Sequence, residues 1–393
     1  MSSMSNYISG VVQDIPPSGI RKFFDLVTQT EGVISLGVGE PDFVTPWHIR
    51  EACFYSLEKG YTMYTSNLGL PELREEIAAY EKRKIGVSYS PADEILVTVG
   101  VSEAVDLALR ALIEPGDEVL VPEPSYVSYA PGTKLVYGKP VPLLTYDADE
   151  YRLRPDILEK AITPRSKVLI LPFPNNPTGG IMKAEDLQAL VDIIIKNDLI
   201  VLSDEIYAEL SYNGKHLSIA SFEGMKDKTI LINGFSKAFA MTGWRLGWLV
   251  VPDALVDVVE QIAQHLFICP STIAQHAALA CFEPESLALY EQRRSEFKAR
   301  RDYFLPQLNA MGLTVPVMPD GAFYAWADCT QACRTLGVQD SWAFAFELMK
   351  RAHVAVTPGR DFGTAETARF VRFSTASSMA QLQTAVQRLR ALL

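Results

Sequence analysis

EILVTVGVSEAVDLALRALIEPGDEVLVPEP, residues 94–124, decides the fold class of this chain. It begins with the apolar run EILVTVG (94–100) and continues with the amphipathic run SEAVDLALRALI (102–113). A turn at Glu114-Pro-Gly-Asp leads to a second apolar run, DEVLVPEP (117–124). Runs rich in Val, Ile and Leu that are apolar throughout are typical of strands buried on both faces, and the amphipathic run is typical of a covering helix. The stretch therefore predicts a strand, a helix and a second strand.

The same alternation continues to about residue 250. KVLILPF (167–173) and LIVLSDE (199–205) are predicted strands, and AEDLQALVDIIIKND (184–198) is the predicted helix between them. TILING (229–234) and GWLVVP (247–252) complete the series. Apolar strands separated by helices predict an α/β fold with a mainly parallel sheet covered by helices on both faces.

The pattern changes after residue 283. A long charged helix, ESLALYEQRRSEFKARRDYFLPQL (285–308), is followed by short strand-like segments and by helices around 341–351 and 379–392. The predicted short strands are LTVPVM (313–318), AFYAWAD (322–328), VAVTPG (354–359) and FVRFST (370–375). These elements predict a smaller α+β domain.

The predicted domain division follows from this change. Residues 46–284 form the large α/β domain, and residues 1–45 together with 285–393 form an N-terminal arm and the small domain. We expect the arm either to pack on the small domain or to reach across an interface.

The composition excludes several classes of function. The chain of 393 residues has 36 Lys and Arg against 47 Asp and Glu, a net charge of −11, without a Lys/Arg-rich run. This argues against nucleic acid or an anionic membrane as the main partner. Apolar stretches are broken by charges well before the ~18 residues of a membrane span, and MSSMSNYISG lacks the features of a signal peptide. Five scattered cysteines without a CxxC pair predict free thiols, no metal set and a reducing cytoplasm.

Polar residues at the predicted strand ends indicate where a ligand binds, because ligands of open α/β sheets gather beyond the carboxyl ends of strands. Gly100, Val101 and Ser102 follow one strand and open a helix whose backbone N–H groups could hold an anion, with Ser102 as the predicted N-cap. The alternative is a plain capped helix. The P-loop pattern is absent, and Gly37-Val-Gly39 lacks the third glycine of a dinucleotide fingerprint, which argues against a nicotinamide dehydrogenase.

Two further strand ends carry polar side chains. Asn176 lies in the stiff loop PFPNNPTGG (172–180), and its amide could donate to an oxygen on a ring; the alternative is a simple Asn-Pro turn. Asp204 ends an apolar strand in SDEIY (203–207), where a buried carboxylate needs a cation or a ring N–H, and the Tyr207 hydroxyl could face the same space. The alternative for Asp204 is a cap on the next helix.

NGFSKAFAMTGWRLGW (233–248) contains a lysine and an arginine in an apolar setting. Lys237 is predicted to be a nucleophilic amine and Arg245 to bind a phosphate, against the alternative of a snorkelling lysine and a surface arginine. An anion site, a buried carboxylate, donors for a ring oxygen and an amine match the phosphate, pyridine nitrogen, hydroxyl and aldehyde of pyridoxal 5′-phosphate.

The ordered motifs of the chain resemble those of class I/II aminotransferases of the aspartate aminotransferase superfamily, the fold type I pyridoxal phosphate enzymes. The resemblance covers nearly the whole chain. The matching motifs are SLGVGEPDF (35–43), MYTSNLGLPELREEIA (63–78), VTVGVSEAV (97–105), PNNPTGG (174–180), SDEIY (203–207), GFSKAFAMTGWRLG (234–247), GAFY (321–324) and RFSTA (372–376).

The resemblance implies a role for each candidate residue. Lys237 would be the Schiff-base lysine and proton shuttle, Asp204 would pair with the pyridine nitrogen, and Tyr207 and Asn176 would bond the ring oxygen. The phosphate would be bound by Gly100, Val101, Ser102, Arg245, Ser236 (in place of a serine missing at Gly234) and Tyr64 of the neighbouring subunit.

The resemblance also implies substrate contacts and an assembly. Tyr126 would stack on the cofactor ring, Arg372 would bind the substrate α-carboxylate, and Gly39 and Asn176 would lie against the substrate. Because Tyr64 would reach the neighbouring active site, the resemblance implies a homodimer.

The implied activity is amino transfer from an L-amino acid to a 2-oxo acid such as 2-oxoglutarate, in two half-reactions. SGIRKFFDL (18–26) and GVGEPDFVTP (37–46) resemble enzymes acting on aromatic amino acids. An aspartate-specific subgroup has lysine where this chain has Ser102, so aromatic or other apolar donors are favoured, with alanine, methionine and acylated diaminopimelate still open. The alternatives are a carbon–sulfur β-lyase of the same fold and, from another class, a non-catalytic regulatory protein that binds pyridoxal phosphate.

Overall fold

A computed structural model describes residues 7–15 and 30–393 of the chain. The segment SGIRKFFDL (18–26) lies outside the described residues. The strands are β1 (Ile34–Ser35), β2 (Ile95–Thr98), β3 (Glu118–Glu123), β4 (Lys139–Leu144), β5 (Ser166–Leu171), β6 (Ile200–Asp204), β7 (Thr229–Gly234), β8 (Gly247–Val250), β9 (Tyr324–Asp328), β10 (Val354–Ala355), β11 (Thr357–Pro358) and β12 (Phe370–Ser374). The α-helices are α1 (Gly10–Gln13), α2 (Trp47–Glu58), α3 (Pro71–Ile85), α4 (Gly100–Leu112), α5 (Tyr129–Leu135), α6 (Pro155–Ala161), α7 (Ala184–Lys196), α8 (Asp253–Leu266), α9 (Thr272–Leu279), α10 (Pro284–Ala310), α11 (Thr330–Leu336), α12 (Ser341–Glu347) and α13 (Met379–Leu392).

The large sheet has seven strands in the order β2-β8-β7-β6-β5-β3-β4. Strand β8 is antiparallel to both of its neighbours, and the other adjacent pairs are parallel. The predicted α/β class with a mainly parallel sheet is confirmed. Parallel strands end at one edge of the sheet, so β5, β6 and β7 deliver the residues that follow them to the same place.

Both faces of the large sheet are buried, which explains why its strands are apolar throughout. Leu202 of β6 and Ile230 of β7 pack with α4 and α8 on one face, whereas Val201 packs with α6 and α7 on the other. Side chains alternate between the faces of a strand. Asp204 therefore lies on the same face as Leu202, and its neighbour Glu205 points to the opposite face.

A second, smaller group of elements packs around its own core. Strands β11, β12 and β9 form an antiparallel sheet, and β1 pairs in parallel with β10. Leu36, which directly follows β1, is buried in a hydrophobic cluster with residues of α10, α12 and α13. Residues 34–36 thus pack on the C-terminal elements, and the domain boundaries at residues 46 and 284 stay a prediction.

One predicted strand of this smaller group is wrong. In LTVPVM (313–318) the structure has a single isolated bridge, between Thr314 and Asp328, and no strand. Pro316 lacks the N–H group that a continued ladder would require.

Among residues 7–15 and 30–393, none of the helices combines the length and apolarity needed to cross a bilayer. All five cysteines are free.

Candidate active site

A cavity of about 840 Å³ lies between the carboxyl edge of the large sheet and the small antiparallel sheet. Most of the candidate residues line it, although they come from distant parts of the chain. The candidates in its wall are Gly39, Val101, Ser102, Tyr126, Asn176, Asp204, Tyr207, Ser236, Lys237, Arg245 and Arg372. Gly100 lies directly behind this wall, and Tyr64 lies outside it.

Lys237 is placed by the turn that follows β7. Its Nζ donates a hydrogen bond to the backbone oxygen of Gly39, at 2.6 Å, and lies 5.7 Å from the centre of the Tyr207 ring. Burial, together with the nearby Arg372 guanidinium, lowers the pKa of Lys237 to about 8. The amine has no carboxylate within ion-pair distance among the described residues, so it is not held in a structural ion pair.

Asp204 is the last residue of β6 and is buried. Its carboxylate accepts hydrogen bonds from the hydroxyl of Tyr129, at 2.8 Å, and from the backbone N–H of Ile206, at 3.2 Å. Burial raises the pKa of Asp204 to about 6, and these two bonds oppose that rise. The local bond to Ile206 is typical of a turn aspartate, but the carboxylate also faces the cavity, so it can accept an N–H from a ligand.

Arg372 lies in β12 and is 6% exposed. Its Nη1 donates to the Asn176 side-chain oxygen and its Nη2 to the backbone oxygen of Gly37, both at 2.7 Å. The guanidinium carbon is 4.3 Å from the centre of the Tyr324 ring and 5.0 Å from that of Phe362. With Asn176, Gly37 and two aromatic rings around it, the planar guanidinium is fixed in direction before a ligand arrives, as a bidentate carboxylate site requires.

The predicted donors to a ring oxygen have protein partners. Asn176 bonds Arg372, and the Tyr207 hydroxyl shares a 2.7 Å hydrogen bond with the Tyr324 hydroxyl. Each group can still make a further bond, since a hydroxyl and an amide both have unused capacity. Their contact with a ring oxygen stays a prediction.

A candidate anion site lies in the cavity at the start of α4. Helix α4 begins at Gly100, and a Cβ atom at this residue would be 2.8 Å from Nη2 of Arg245. The guanidinium can approach the start of the helix because Gly100, at φ +71°, has no side chain. Arg245 has no carboxylate within 4 Å among the described residues, so its charge is free to meet an anion beside the N–H groups of α4.

The predicted N-cap role of Ser102 is wrong. The helix begins two residues earlier than predicted, so Ser102 is the third helical residue and Val99 holds the cap position. The Val99 N–H bonds the side chain of Glu103 instead. Ser102 nevertheless lines the cavity in the first turn of α4.

The two aromatic candidates differ in position. Tyr126 lies in the cavity wall and meets Tyr129 edge-on, with 5.5 Å between ring centres. Tyr64 is 80% exposed and does not reach the cavity of its own chain. Its predicted role in a neighbouring site stays a prediction.

Three of the cavity residues that contact the candidate side chains were not identified from the sequence. Tyr129 bonds Asp204, Tyr324 bonds Tyr207, and Phe362 packs on Arg372. For Tyr129, its position three residues after Tyr126 was an available signal, since the two rings then share one side of a turn. Tyr324 lies in the quoted motif GAFY, whereas no local pattern identifies Phe362.

The residues fit pyridoxal phosphate. The close approach of Arg245 to a glycine at a helix start suits a phosphate, the buried Asp204 suits a protonated pyridine nitrogen, and the amine of Lys237 suits an aldehyde. The cavity is large enough for this cofactor together with a small substrate.

Comparisons with known proteins agree with this chemistry. Residues 31–389 match the family model "Aminotransferase class I and II". The aromatic-amino-acid aminotransferase 2 of Thermococcus litoralis is 42% identical, with 98% of each chain covered. The aspartate aminotransferase of Pyrococcus abyssi is also 42% identical, with 96% of each covered.

A solved structure supports the same assignment. The aspartate aminotransferase of Thermus thermophilus with maleate superposes with a TM-score of 0.91 at 36% identity, covering 98% of this chain and 99% of that one. Sequence and fold thus agree over nearly the whole chain. The chain belongs to the class I and II aminotransferases, the pyridoxal phosphate-dependent transferases of fold type I.

Proposed function

We propose that the protein transfers the amino group of an L-amino acid, with aromatic or other apolar donors preferred, to a 2-oxo acid such as 2-oxoglutarate. Both half-reactions take place at the same site. The observation that carries the proposal is that the amine of Lys237, the carboxylate of Asp204 and the guanidinium of Arg372 meet in one cavity. Transamination of an amino acid requires each of these groups.

The cofactor is held at both ends in this proposal. Arg245 and the N–H groups of Gly100, Val101 and Ser102 would bind the phosphate, with the Ser236 hydroxyl beside them, and the Asp204 carboxylate would accept a hydrogen bond from the protonated pyridine nitrogen. Bound pyridoxal phosphate supplies an aldehyde for the amine and an electron-withdrawing ring for the substrate α-carbon. Tyr126 would stack on the ring, and Tyr207 and Asn176 would bond its oxygen.

Lys237 moves the proton at the substrate α-carbon. A base works best when its pKa lies near the working pH, and the pKa of about 8 leaves a useful fraction of the amine neutral at pH 7. The bond from Lys237 Nζ to the Gly39 oxygen holds the amine on the substrate side of the cavity. The substrate lies against Gly39 in this arrangement.

Arg372 binds the α-carboxylate common to the donor and the acceptor. Since Asn176 and Gly37 already fix the guanidinium plane, little side-chain entropy is lost when the carboxylate binds. Recognition of a group shared by all amino acids leaves the donor to be selected elsewhere in the cavity.

The donor preference follows from the charges in the cavity wall. Its cations, among the described residues, are Lys237, Arg245 and Arg372, and each has a use in the proposal. The side-chain carboxylate of aspartate would therefore lack a cationic partner in this chain. Much of the remaining wall is apolar, with Val38, Val101, Val105, Pro131, Leu135 and Ile206. One relative is named for aromatic amino acids and another for aspartate at equal identity, so identity alone does not choose between them.

A donor panel tests this preference. With 2-oxoglutarate as acceptor, kcat/KM for phenylalanine or tyrosine should exceed that for aspartate by at least about tenfold, because an unpaired carboxylate in the cavity costs more than 1.4 kcal/mol. Replacing 2-oxoglutarate by pyruvate in the same series tests the acceptor. Faster turnover of aspartate than of phenylalanine or tyrosine would contradict the proposed donor preference.

The β-lyase alternative has its own test. Release of pyruvate and ammonia from cystathionine, without an acceptor acid, would favour it.

The proposal includes a homodimer in the cytoplasm. Exposed aromatic and apolar side chains cluster in and after α2: Trp47, Phe54, Tyr55, Met63 and Tyr64. Exposed side chains of this kind suit a protein interface. The free cysteines suit a reducing compartment, which cell fractionation can test.

Subunit hybrids test the role of Tyr64 in the neighbouring site. When Lys237→Ala and Tyr64→Ala chains are co-expressed in equal amounts, about half of the dimers are hybrids. Each hybrid has one site with both native residues, so activity should recover to about a quarter of wild type, above either parent. If the mixture is no more active than the sum of its parents, Tyr64 does not act across the interface.

A further inference from the structure

Glu123 ends β3 just outside the cavity wall, and its side chain contacts a loop that belongs to the other sheet. This loop, the Phe362 loop (residues 359–366), follows β11 and precedes β12 in the chain. We propose that Glu123 is a positioning residue that latches the Phe362 loop against the large sheet and thereby keeps Arg372 ready to bind the substrate carboxylate. The inference rests on the carboxylate role of Arg372 proposed above.

The latch consists of two hydrogen bonds to one carboxylate oxygen. Oε2 of Glu123 accepts the backbone N–H of Thr364, at 2.7 Å, and the hydroxyl of the same residue, at 2.8 Å. Glu123 is 9% exposed and has no Lys, Arg or His within 4 Å among the described residues. Its buried charge is therefore stabilised by these donors, and hydrogen bonds to an ionised acceptor are the stronger kind.

The loop backbone lies directly on the carboxylate. A Cβ atom at Gly363 would be 2.9 Å from Oε2 of Glu123, so a glycine is needed for this close approach. Two residues after Glu123, the N–H of Ser125 donates to the backbone oxygen of Phe362, at 2.9 Å. The strand end thus binds the loop at Phe362 and at Thr364, and Tyr126 in the cavity wall follows immediately.

The loop carries a residue of the active site. Phe362 is buried, lines the cavity and lies 5.0 Å from the guanidinium carbon of Arg372. Its ring also meets that of Trp326, at 5.5 Å, and Trp326 is the cross-strand partner of Arg372 in the β9–β12 pair. Phe362 therefore excludes water from one side of the guanidinium, which strengthens an ion pair with a carboxylate.

Without the Glu123 carboxylate, the loop loses both bonds at Thr364 and is held to the strand end by the Ser125 bond alone, so Phe362 can move away from Arg372. Arg372 would then bind the substrate carboxylate more weakly, in the ground state and in the transition state alike. Such a uniform loss raises KM and leaves kcat nearly unchanged.

The experiment compares Glu123→Ala and Glu123→Gln with a control on the same strand. Glu118, at the other end of β3, is also buried and bonds Lys139, Thr163 and Ser166. Glu123→Ala should raise the KM for the amino donor about tenfold, with kcat within about twofold. Glu123→Gln keeps an acceptor oxygen and should stay within about threefold of wild type, and Glu118→Ala should leave KM unchanged even where it lowers Tm.

Three further measurements separate the possible failures. Binding of 3-phenylpropionate, a carboxylate without an amine, should weaken in Glu123→Ala by the same factor as KM, while pyridoxal phosphate binding stays as in wild type. Thr364→Val, on an exposed residue that leaves folding intact, should raise KM about threefold. Arg372→Ala tests the function on which the latch rests.

The outcomes are distinct. If Arg372→Ala leaves KM unchanged, the proposed carboxylate site fails. If Arg372→Ala raises KM but Glu123→Ala does not, or if Glu118→Ala raises it equally, the latch alone is overturned.

Discussion

Lys237→Ala will lower kcat by at least about 10⁴-fold, because the residue both attaches the cofactor and moves the α-carbon proton. The variant should fold as the wild type does, since truncation removes a partly buried charge that bonds a single backbone oxygen. Borohydride treatment of wild type should attach the cofactor covalently to Lys237, and the variant should gain no such mass. Lys160→Ala, an exposed lysine in an ion pair with Asp156, is the control and should keep full activity.

The same lysine predicts a pH dependence. Attack on an aldehyde requires the neutral amine, so the rate at which the apoprotein takes up pyridoxal phosphate should rise with pH and level off above about 8. The sign follows from the lowered pKa, since below it the amine is protonated. The proposed role of Lys237 would be refuted if Lys237→Ala turned over near the wild-type rate. It would also be refuted if the rate of pyridoxal phosphate uptake did not change with pH between about 6 and about 9.

Asp204→Asn will lower kcat by about 10²–10³-fold, because a neutral amide cannot stabilise the positive pyridine nitrogen that makes the ring an electron sink. Its pKa of about 6 leaves the native carboxylate ionised at neutral pH. Single-turnover measurements should place the loss in the proton-transfer step, with the donor Kd much less affected.

A matched control exists one residue away. Glu205 is also buried, but it lies on the opposite face of the sheet, where it bonds Ser203, Ser218 and His216. Glu205→Gln should therefore change stability and leave kcat within about threefold. Tyr129→Phe, which removes one donor to Asp204, should cost about tenfold or less. Equal losses from Asp204→Asn and Glu205→Gln would indicate a structural role for both.

Local patterns predicted most of the large sheet because its strands are buried on both faces. TILING (229–234) became β7 without a change of bounds, and α13 begins and ends where predicted. Strand β4 was not predicted, since Pro140 and Pro142 indicate interruption of a strand. It forms at the edge of the sheet. Pro140 and Pro142 are two residues apart, so their nitrogen atoms, which lack a hydrogen, both face the open side and no bond to β3 is lost.

The chemistry was likewise predictable where a polar residue follows an apolar strand. Asp204 and Lys237 could be singled out because a charge in such a position is costly unless it is used or paired. Ser102 was assigned a wrong capping role because the start of α4 depends on the positive φ of Gly100, which local pattern does not reveal.

The sequence by itself determined the α/β class, the family and the identity of the reactive groups, because these depend on residue type and on the local spacing of apolar residues. Only the tertiary structure decided which groups meet. Tyr129 and Asp204 are 75 residues apart, Tyr207 and Tyr324 are 117 apart, and Glu123 and Thr364 are 241 apart. Contacts over such separations arise from the order of the strands within the large sheet and from how the two sheets pack against each other, and no local preference encodes either.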